Sequence, residues 1–430
     1  MDLKNSSLLR LRMINFFAGM AQAVNALRMV FLTTHGLSAM EASVVLSLAC
    51  VSSAIAPTIS GMIADKIRSK YAVYMVATVG CVAMAVLTPA SVDISIFGTM
   101  LASVVIPFFM MFMMPNYSLI ESASVTATMV HPNLEYSSIR LLMSLGFTLS
   151  SFLYTPIIRA FGVDAAFYFA AFYFCVQLAL SGVIKKYEYA PASVVEPALG
   201  EAGVQAVAIE EEEAPKKAQK LDLSRIFKNG YLVLFLLGNV LYPVGANCTS
   251  FLPYLLTSVG ADTALVGLAS AVRVGGEVLM LLLMPKLRKW FSLPLLQAVC
   301  GTLCILELTM YALCKSFIAA LLVHGFGGMA WAISVGSSVV YVRMMAPEGL
   351  ENTTVSLWYA VSAVCGLVSM LTFGMTIENY GVLTMYTIAM ICQGIWLTLY
   401  LGGYAYMRYV KRVPPVQRMF AFGKSKREAA

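Results

Sequence analysis

Twelve apolar stretches, each long enough to cross a lipid bilayer, leave this chain few ways to fold. They lie near residues 12–34, 39–63, 71–90, 94–118, 137–159, 164–184, 230–257, 263–284, 293–313, 316–341, 353–376 and 382–407. About 20 apolar residues at a rise of about 1.5 Å each cover the hydrocarbon core. Backbone groups in lipid must bond within their own segment, so each stretch is expected to be a helix. The composition agrees: 60% of the 430 residues are hydrophobic and 12% are charged, with a mean hydropathy of +0.80. Soluble chains carry about a quarter charged residues. The first stretch is too long for a cleaved signal peptide and no small-residue cleavage site follows it.

Basic residues give the expected orientation. Lys4, Arg10 and Arg12 precede the first span, and Lys66, Arg68 and Lys70 follow the second. Lys185 and Lys186 follow the sixth, Lys286, Arg288 and Lys289 the eighth, and Arg343 the tenth. Lys411, Arg412, Arg418, Lys424, Lys426 and Arg427 fill the tail, whereas the opposite loops offer little beyond Arg159 and Lys315. Both termini are therefore expected in the cytoplasm, with the chain in the plasma membrane. The net charge of +7 is this bias and not a nucleic-acid patch. Nine cysteines, all within spans and without CxxC or histidine partners, read as small buried apolar residues; neither a metal nor a cofactor is expected.

Residues 187–225 interrupt the pattern. Pro, Gly, an acidic run at Glu210–Glu213 and lysines after it describe a cytoplasmic linker with too few aromatics for a core. The expected organisation is a six-helix bundle over 1–186, the linker, a second six-helix bundle over 226–410 and a basic tail over 411–430. The halves echo one another. RAFGVDAAFY (159–168), joining spans 5 and 6, resembles ENYGVLTMYT (378–387), joining spans 11 and 12. The end of span 2, PTISGMIADKI, lies over the end of span 8, EVLMLLLMPKL. Duplicated halves suit a machine that rocks about a site near the membrane midplane.

Three stretches carry a family resemblance. GMIADKIRSK (61–70) resembles the loop 2–3 signature G-x-x-x-D-[RK]-x-G-[RK]-[RK] of the major facilitator superfamily, through Gly61, Asp65, Lys66 and Lys70. Arg68 stands where the second glycine is expected. EYSSIRLLMSLGF (135–147) resembles the span 5 signature of the branch holding lactose permease, other oligosaccharide–proton symporters and nucleoside–proton symporters. Tyr136, Arg140, Ser144, Leu145, Gly146 and Phe147 match; Ser137 and Met143 replace glycines. LVHGFGGM (322–329) resembles the branch's span 10 segment through His324 and Gly325. The resemblance implies an all-α membrane protein of twelve transmembrane helices in two bundles, the major facilitator fold. It implies that the 61–70 segment is a cytoplasmic gate, with Gly61 allowing close helix approach. It also places Glu277 where the branch has a substrate-contacting acid. Two departures stand out: Gly327 occupies the position of the branch's proton-carrying acid, and Glu307 on span 9 stands where an arginine is often found.

The charges inside the spans are the remaining clue. Each unpaired central charge costs ~2.5–3.5 kcal/mol on insertion scales, so it should meet a partner or a water-filled cavity. Arg273 and Glu277 are four apart on span 8 and share a face. They either neutralise one another or both line the central cavity, with Glu277 accepting hydrogen bonds from substrate. Glu307 is expected to pair with Arg273 or His324. Burial disfavours an ionised carboxylate and histidine changes charge near neutral pH, which makes Arg273, Glu277, Glu307 and His324 the candidate proton-coupling group. Arg28, Tyr117, Arg140, Phe147, Asn247, Glu277 and Trp331 are the candidate substrate residues, with Glu121 as a partner for Arg140.

The expected function is therefore proton-coupled import of a small polar solute, an oligosaccharide or nucleoside, by alternating access, carried out by a monomer. The alternative is proton-driven efflux of lipophilic compounds, suggested by the methionine-rich run FFMMFMMP (108–115). A transporter-like sensor is a minor alternative. No HExxH, GxSxG, P-loop or Rossmann pattern is present, so no enzyme is expected.

Overall fold

The computed structural model describes residues 3–96, 98–131, 134, 136–189, 223–347 and 350–419. Among these residues, ten helices are long and apolar enough to cross a membrane. The first half comprises α1 (Leu3–Gln22), a 3-10 turn (Ala23–Leu27), α2 (Arg28–Thr34), α3 (Ala39–Ile67) and α4 (Lys70–Ala90). A small hairpin of β1 (Ser95–Ile96) and β2 (Thr99–Met100) precedes α5 (Ala102–Val130), α6 (Tyr136–Phe161), α7 (Asp164–Leu180) and α8 (Gly182–Lys186). The second half begins with a span in pieces: α9 (Gly230–Gly238), α10 (Tyr242–Asn247) and α11 (Leu252–Ser258). Then follow α12 (Leu265–Trp290), α13 (Leu293–Ala312), α14 (Phe317–Met345), α15 (Glu351–Tyr380) and α16 (Val382–Ala405). Twelve crossings result, six to each half: α1 with α2 makes one, α7 with α8 another, and α9 to α11 a third.

Local chemistry sets the helix starts. Ser38 and Glu41 form a reciprocal capping box at the start of α3. Ser69, Ser292 and Ser316 cap α4, α13 and α14 in the same way from one side. In lipid, helices associate through close packing of small residues. A Cβ at Gly19 would collide with the Met143 carbonyl, and one at Gly146 with the Phe16 carbonyl, so α1 and α6 touch backbone to backbone.

Among the described residues three spans are interrupted: the sixth only at Ser181, near its end, and the first of each half within its length. In the first, the 3-10 turn at Ala23–Leu27 interrupts the helix. In the seventh, the break after Gly238 frees carbonyls that other helices catch. Gln393 Nε2 on α16 donates to the Leu241 and Tyr242 carbonyls at 3.0 and 2.9 Å. Asn247 Nδ2 donates to the Gly366 carbonyl and Ser369 Oγ on α15 at 3.0 and 2.9 Å. Irregular backbone at membrane depth persists only where protein or a wet cavity satisfies it.

The halves meet differently at the two ends of the bundle. At the end opposite the termini, one core holds Phe31, Phe109 and Phe167 of the first half together with Phe251, Tyr311 and Tyr386 of the second. There α6 packs on α12, and α3 on α15. Arg159 Nε pairs with Asp262 Oδ2 at 2.9 Å, Thr155 Oγ1 donates to the Ala264 carbonyl at 3.0 Å, and the Met40 amide donates to Glu378 Oε2 at 3.2 Å. The internal echo is structural here: Gly162 and Gly381 both turn with positive φ, 81° and 83°. Arg159 and Glu378, three residues before them, each reach across to the other half. Toward the termini the cores separate. Leu11, Tyr74, Ile139 and Tyr187 belong to one, and Tyr231, Met284, Leu293 and Tyr404 to the other.

Two expectations are corrected. The fourth span does not begin at 94; Ser95–Ile96 pairs with Thr99–Met100 in the hairpin, Gly98 has φ 77°, and the helix runs 102–130. Its continuation, rich in Ser, Ala and Thr, is too polar to stand out by hydropathy yet packs closely. Glu121 consequently sits more than two turns inside α5. The tail is also more than a solvated basic strand. Ser292 Oγ donates to the Met419 carbonyl at 2.5 Å, the Leu293 amide to Gln417 Oε1 at 2.8 Å, and Met419 is buried. The linker residues 190–222 and the tail residues 420–430 lie outside the described residues.

Candidate functional site

Where the cores part, charges from both halves face the gap. Arg140, one turn into α6, pairs through Nη1 with Glu121 Oε1 on α5 at 3.1 Å. Its guanidinium lies over the Tyr117 ring, 5.2 Å from the centroid, an arrangement worth about 0.5–1 kcal/mol where water is near. Tyr136 donates to Glu121 Oε1 at 3.3 Å. Glu277, on α12 in the other half, lies within electrostatic reach of Arg140 and Arg273. The Arg140 and Glu121 side chains are partly covered, 29% and 32% exposed. Cation, acid and ring thus share one seam with an acid of the opposite half.

A second cluster lies wholly within the second half. Arg273 Nη1 of α12 approaches Glu307 Oε1 of α13 at 3.5 Å, and His324 Nδ1 of α14 lies 3.5 Å from the same oxygen. The Tyr311 hydroxyl donates to Glu307 Oε1 at 3.1 Å and is also in hydrogen-bond contact with His324 Nδ1. The Glu307 side chain is only 4% exposed. Room for this cluster comes from Gly327: a Cβ there would collide with both Glu307 carboxylate oxygens and with Arg273. The expected pairing of Glu307 with Arg273 or His324 is therefore met by both. The alternative pairing of Arg273 with Glu277 is not formed, because Arg273 turns to the buried Glu307. One turn of helix separates two destinations.

Tyr311 is the member of this cluster that sequence reasoning misses. Its position four after Glu307 puts it on the same face of α13, and that spacing is the available clue. Arg28 follows the break in the first span. Its Nε donates to the Asn25 carbonyl at 3.2 Å, and among the described residues no carboxylate lies within ion-pair distance. Trp331 follows His324 and Gly328 on one face of α14 at helical spacing, yet is 43% exposed. Phe147 packs against the shared core. The amide nitrogen of Asn247 holds the broken seventh span to α15. A Cβ at Gly61 would meet nothing within 4 Å, so the close helix approach expected there is not formed among the described residues.

The rest of that segment touches its own half. Lys70 Nζ is 3.4 Å from Ser122 Oγ and lies over the Tyr189 ring at 5.0 Å, while Asp65 and Lys66 are exposed. Arg68 keeps the turn that a glycine would make, with φ 53° and ψ 39°. The methionine-rich run divides between environments: Phe108 and Met111 are exposed, Met110 and Met113 buried in the shared core. It lines no continuous wall.

Two broken first spans, a far end fused across the halves and a charged seam between separated cores define a helical membrane transporter. The chain belongs to the MFS_1-like family, whose model matches residues 15–388. Among solved structures it is similar to a mutant form of the nucleoside transporter NupG, at 16% identity and a TM-score of 0.74, covering 94% of this chain and 100% of that one. It is also similar to a mutant form of the peptide transporter POT (14% identity, TM-score 0.68, 95% of each chain). A D-xylose-proton symporter is a further likeness, at 15% identity and a TM-score of 0.59 over 95% of this chain and 97% of that one. These identities establish likeness of fold. No curated sequence matches the chain.

Proposed function

We propose that this protein is a proton-coupled importer of a small polar solute that works by alternating access between two bundles, 1–186 and 226–410, with both termini in the cytoplasm. The observation that carries the reading is the seam. Arg140 is held by Glu121 of its own half, and Glu277 of the other half lies within its electrostatic reach. A solute bridging Arg140 and Glu277 would bind the halves to each other, and moving it requires the far contacts Arg159–Asp262 and Met40–Glu378 to open. Tyr117 supplies a flat face beside Arg140. In this reading the conformation faces the cytoplasm, and the segment Gly61–Lys70, with Asp65 and Lys66 free, engages the other half only when the cytoplasmic end closes.

The buried cluster is assigned the proton. Protonating Glu307 removes the partner of Arg273, and Arg273 then has Glu277, one turn along its own helix, as its remaining acid. Proton occupancy in the second half is thereby felt at the seam, without any direct contact between Glu307 and solute. His324 and Tyr311 hold the carboxyl in place when either form is present. For an uncharged solute carried with one proton the drive is sufficient: one charge moving through 100 mV releases ~2.3 kcal/mol, about fifty-fold in accumulation.

Proteoliposomes under an imposed pH gradient test the assignment with labelled nucleosides and disaccharides. Accumulation driven by the gradient should vanish in a Glu307→Gln, His324→Asn double variant while facilitated exchange persists. Gradient-driven accumulation that survives in that variant removes both residues from the coupling path. The sign of the gradient that drives entry into inside-out vesicles distinguishes import from efflux.

A further inference from the structure

The two broken spans are related by position but not by how their polar atoms are used. At the seventh span the freed carbonyls and the Asn247 amide nitrogen are engaged by α15 and α16. At the first span the Asn25 carbonyl is engaged from within the same span, by Arg28, and an amide oxygen is left over, as Gln393 Oε1 is at the seventh. Asn25 Oδ1 is buried and has no hydrogen-bond partner, and the amide nitrogen of Asn25 reaches only the Met113 sulfur at 3.8 Å. Arg28, one turn on, uses Nε on the Asn25 carbonyl. For its terminal amino groups the described residues show no hydrogen bond and no carboxylate within ion-pair distance.

The balance of charge sharpens the contrast. Arg28, Arg140 and Arg273 oppose Glu121, Glu277 and Glu307 inside the spans. Two pairs form, Arg140–Glu121 and Arg273–Glu307, and Glu277 lies in the field of both paired arginines. Arg28 is left with a full, uncompensated charge at membrane depth, beside an acceptor without a donor. A planar guanidinium with unused amino groups suits a carboxylate, which it can hold with two parallel bonds. A hydroxyl or N–H next to that carboxylate would satisfy Asn25 Oδ1. Interrupted spans in corresponding positions of two repeats are where transporters of this architecture place ligand groups.

We propose that Arg28 and Asn25 form a subsite for the carboxylate of an organic acid, so that the transported solute is a small monocarboxylate with a neighbouring hydrogen-bond donor. The inference rests on the transport reading above and narrows its solute class. It also balances charge: a proton taken up within the second half leaves the interior one positive charge in excess, located at Arg28, and a monoanion cancels it. Proton and acid would then cross together without net charge movement.

Thermal unfolding of the purified full-length protein, titrated with lactate, 3-hydroxybutyrate and mandelate and with the matching amides, tests the subsite, since a ligand that binds the native state raises its melting temperature. At least one acid should stabilise saturably while its amide does not. Arg28→Gln should weaken that acid at least about tenfold, as expected for loss of a charge-assisted bidentate contact; Arg28→Lys should recover part of the loss. Asn25→Asp supplies a carboxylate from the protein itself, so it should raise the melting temperature without ligand and abolish the response to acid. That result stands even if Arg28→Gln fails to fold. The proposal is overturned if no acid stabilises the protein, if acids and amides act alike, or if the response to acid survives Arg28→Gln or Asn25→Asp. Failure of the transport reading looks different: an acid would bind through Arg28 yet no solute would move under a pH gradient in proteoliposomes.

Discussion

The seam cluster and the buried cluster are built from the same residue types and do opposite things with them. Arg140 and Glu121 meet at 3.1 Å while staying about a third exposed. Arg273 and Glu307 meet at 3.5 Å behind Gly327, with Tyr311 and His324 closing the carboxylate off from water. An exposed pair exchanges partners cheaply. A buried one is costly to break, about 3–5 kcal/mol when one partner is removed, because the other charge is stranded. Solute recognition suits the first and proton storage the second. The Arg159–Asp262 pair at the far end, 55% and 46% exposed, is a third case and a natural reference for what an ion pair in water contributes.

The contrast can be broken most severely at Glu277. Glu277→Gln should reduce uptake by at least about a hundredfold, in line with losing a charged group at a buried hydrogen-bonding site, while leaving the melting temperature almost unchanged. Normal uptake in the variant would remove the seam from the account. Gly327→Ala should act in reverse. The added methyl overlaps the Glu307–Arg273 contact and should destabilise the protein by about 1–3 kcal/mol in thermal or denaturant unfolding, with proton coupling lost before solute binding. Tyr311→Phe leaves Glu307 and His324 each short of a hydrogen bond and should cost about 1–3 kcal/mol, again with coupling affected more than binding.

The smallest effect belongs to the far end. The Ala264 amide and the Arg159 guanidinium hold Asp262 below the usual aspartate range. A carboxylate whose folded value is depressed adds stability above its unfolded pKa and loses it as pH falls through the folded one. The contribution, about 0–1 kcal/mol for an exposed pair, is therefore constant from neutral pH to about pH 5 and fades only below about pH 4. A distance probe across Arg159 and Asp262 should read the same at about pH 8 and about pH 5. Separation of the probes over that interval would mean that the far contact, and not the buried cluster, senses the proton.

Much of this architecture is legible in the chain because lipid makes simple demands. Long apolar runs have to be helices, and charges among them have to find company, which marks Arg273, Glu277, Glu307 and His324 before any geometry is known. The partners are harder to read. That Arg273 chooses Glu307 over Glu277 depends on the hollow at Gly327, and a hollow has no sequence pattern of its own. Gly61 reads as a packing glycine, but the close approach it would allow is not formed among the described residues. The hairpin of 95–96 with 99–100 and the helix from 102 to 130 escape a hydropathy reading because Ser, Ala and Thr pack in lipid without looking apolar. The break in the seventh span is legible in part: Gly238, Pro243, Gly245 and Pro253 punctuate 230–258, whereas the partners Gln393, Gly366 and Ser369 that satisfy it lie far along the chain. Met419 joins the second half through Ser292 and the Tyr404 hydroxyl, contacts that a basic tail does not announce.

The central claim is that water reaches Glu277 from the face bearing the termini while Glu307 stays dry. Glu277→Cys and Glu307→Cys, each in a background lacking the accessible native cysteines, can be treated with a membrane-impermeant thiol reagent applied to sealed vesicles of either orientation. The account predicts rapid labelling of the Glu277→Cys protein from the termini side, slowed by a transported solute, and little labelling of the Glu307→Cys protein from either side. A Glu277→Cys protein that resists the reagent from both sides, or a Glu307→Cys protein that reacts as quickly, would contradict it.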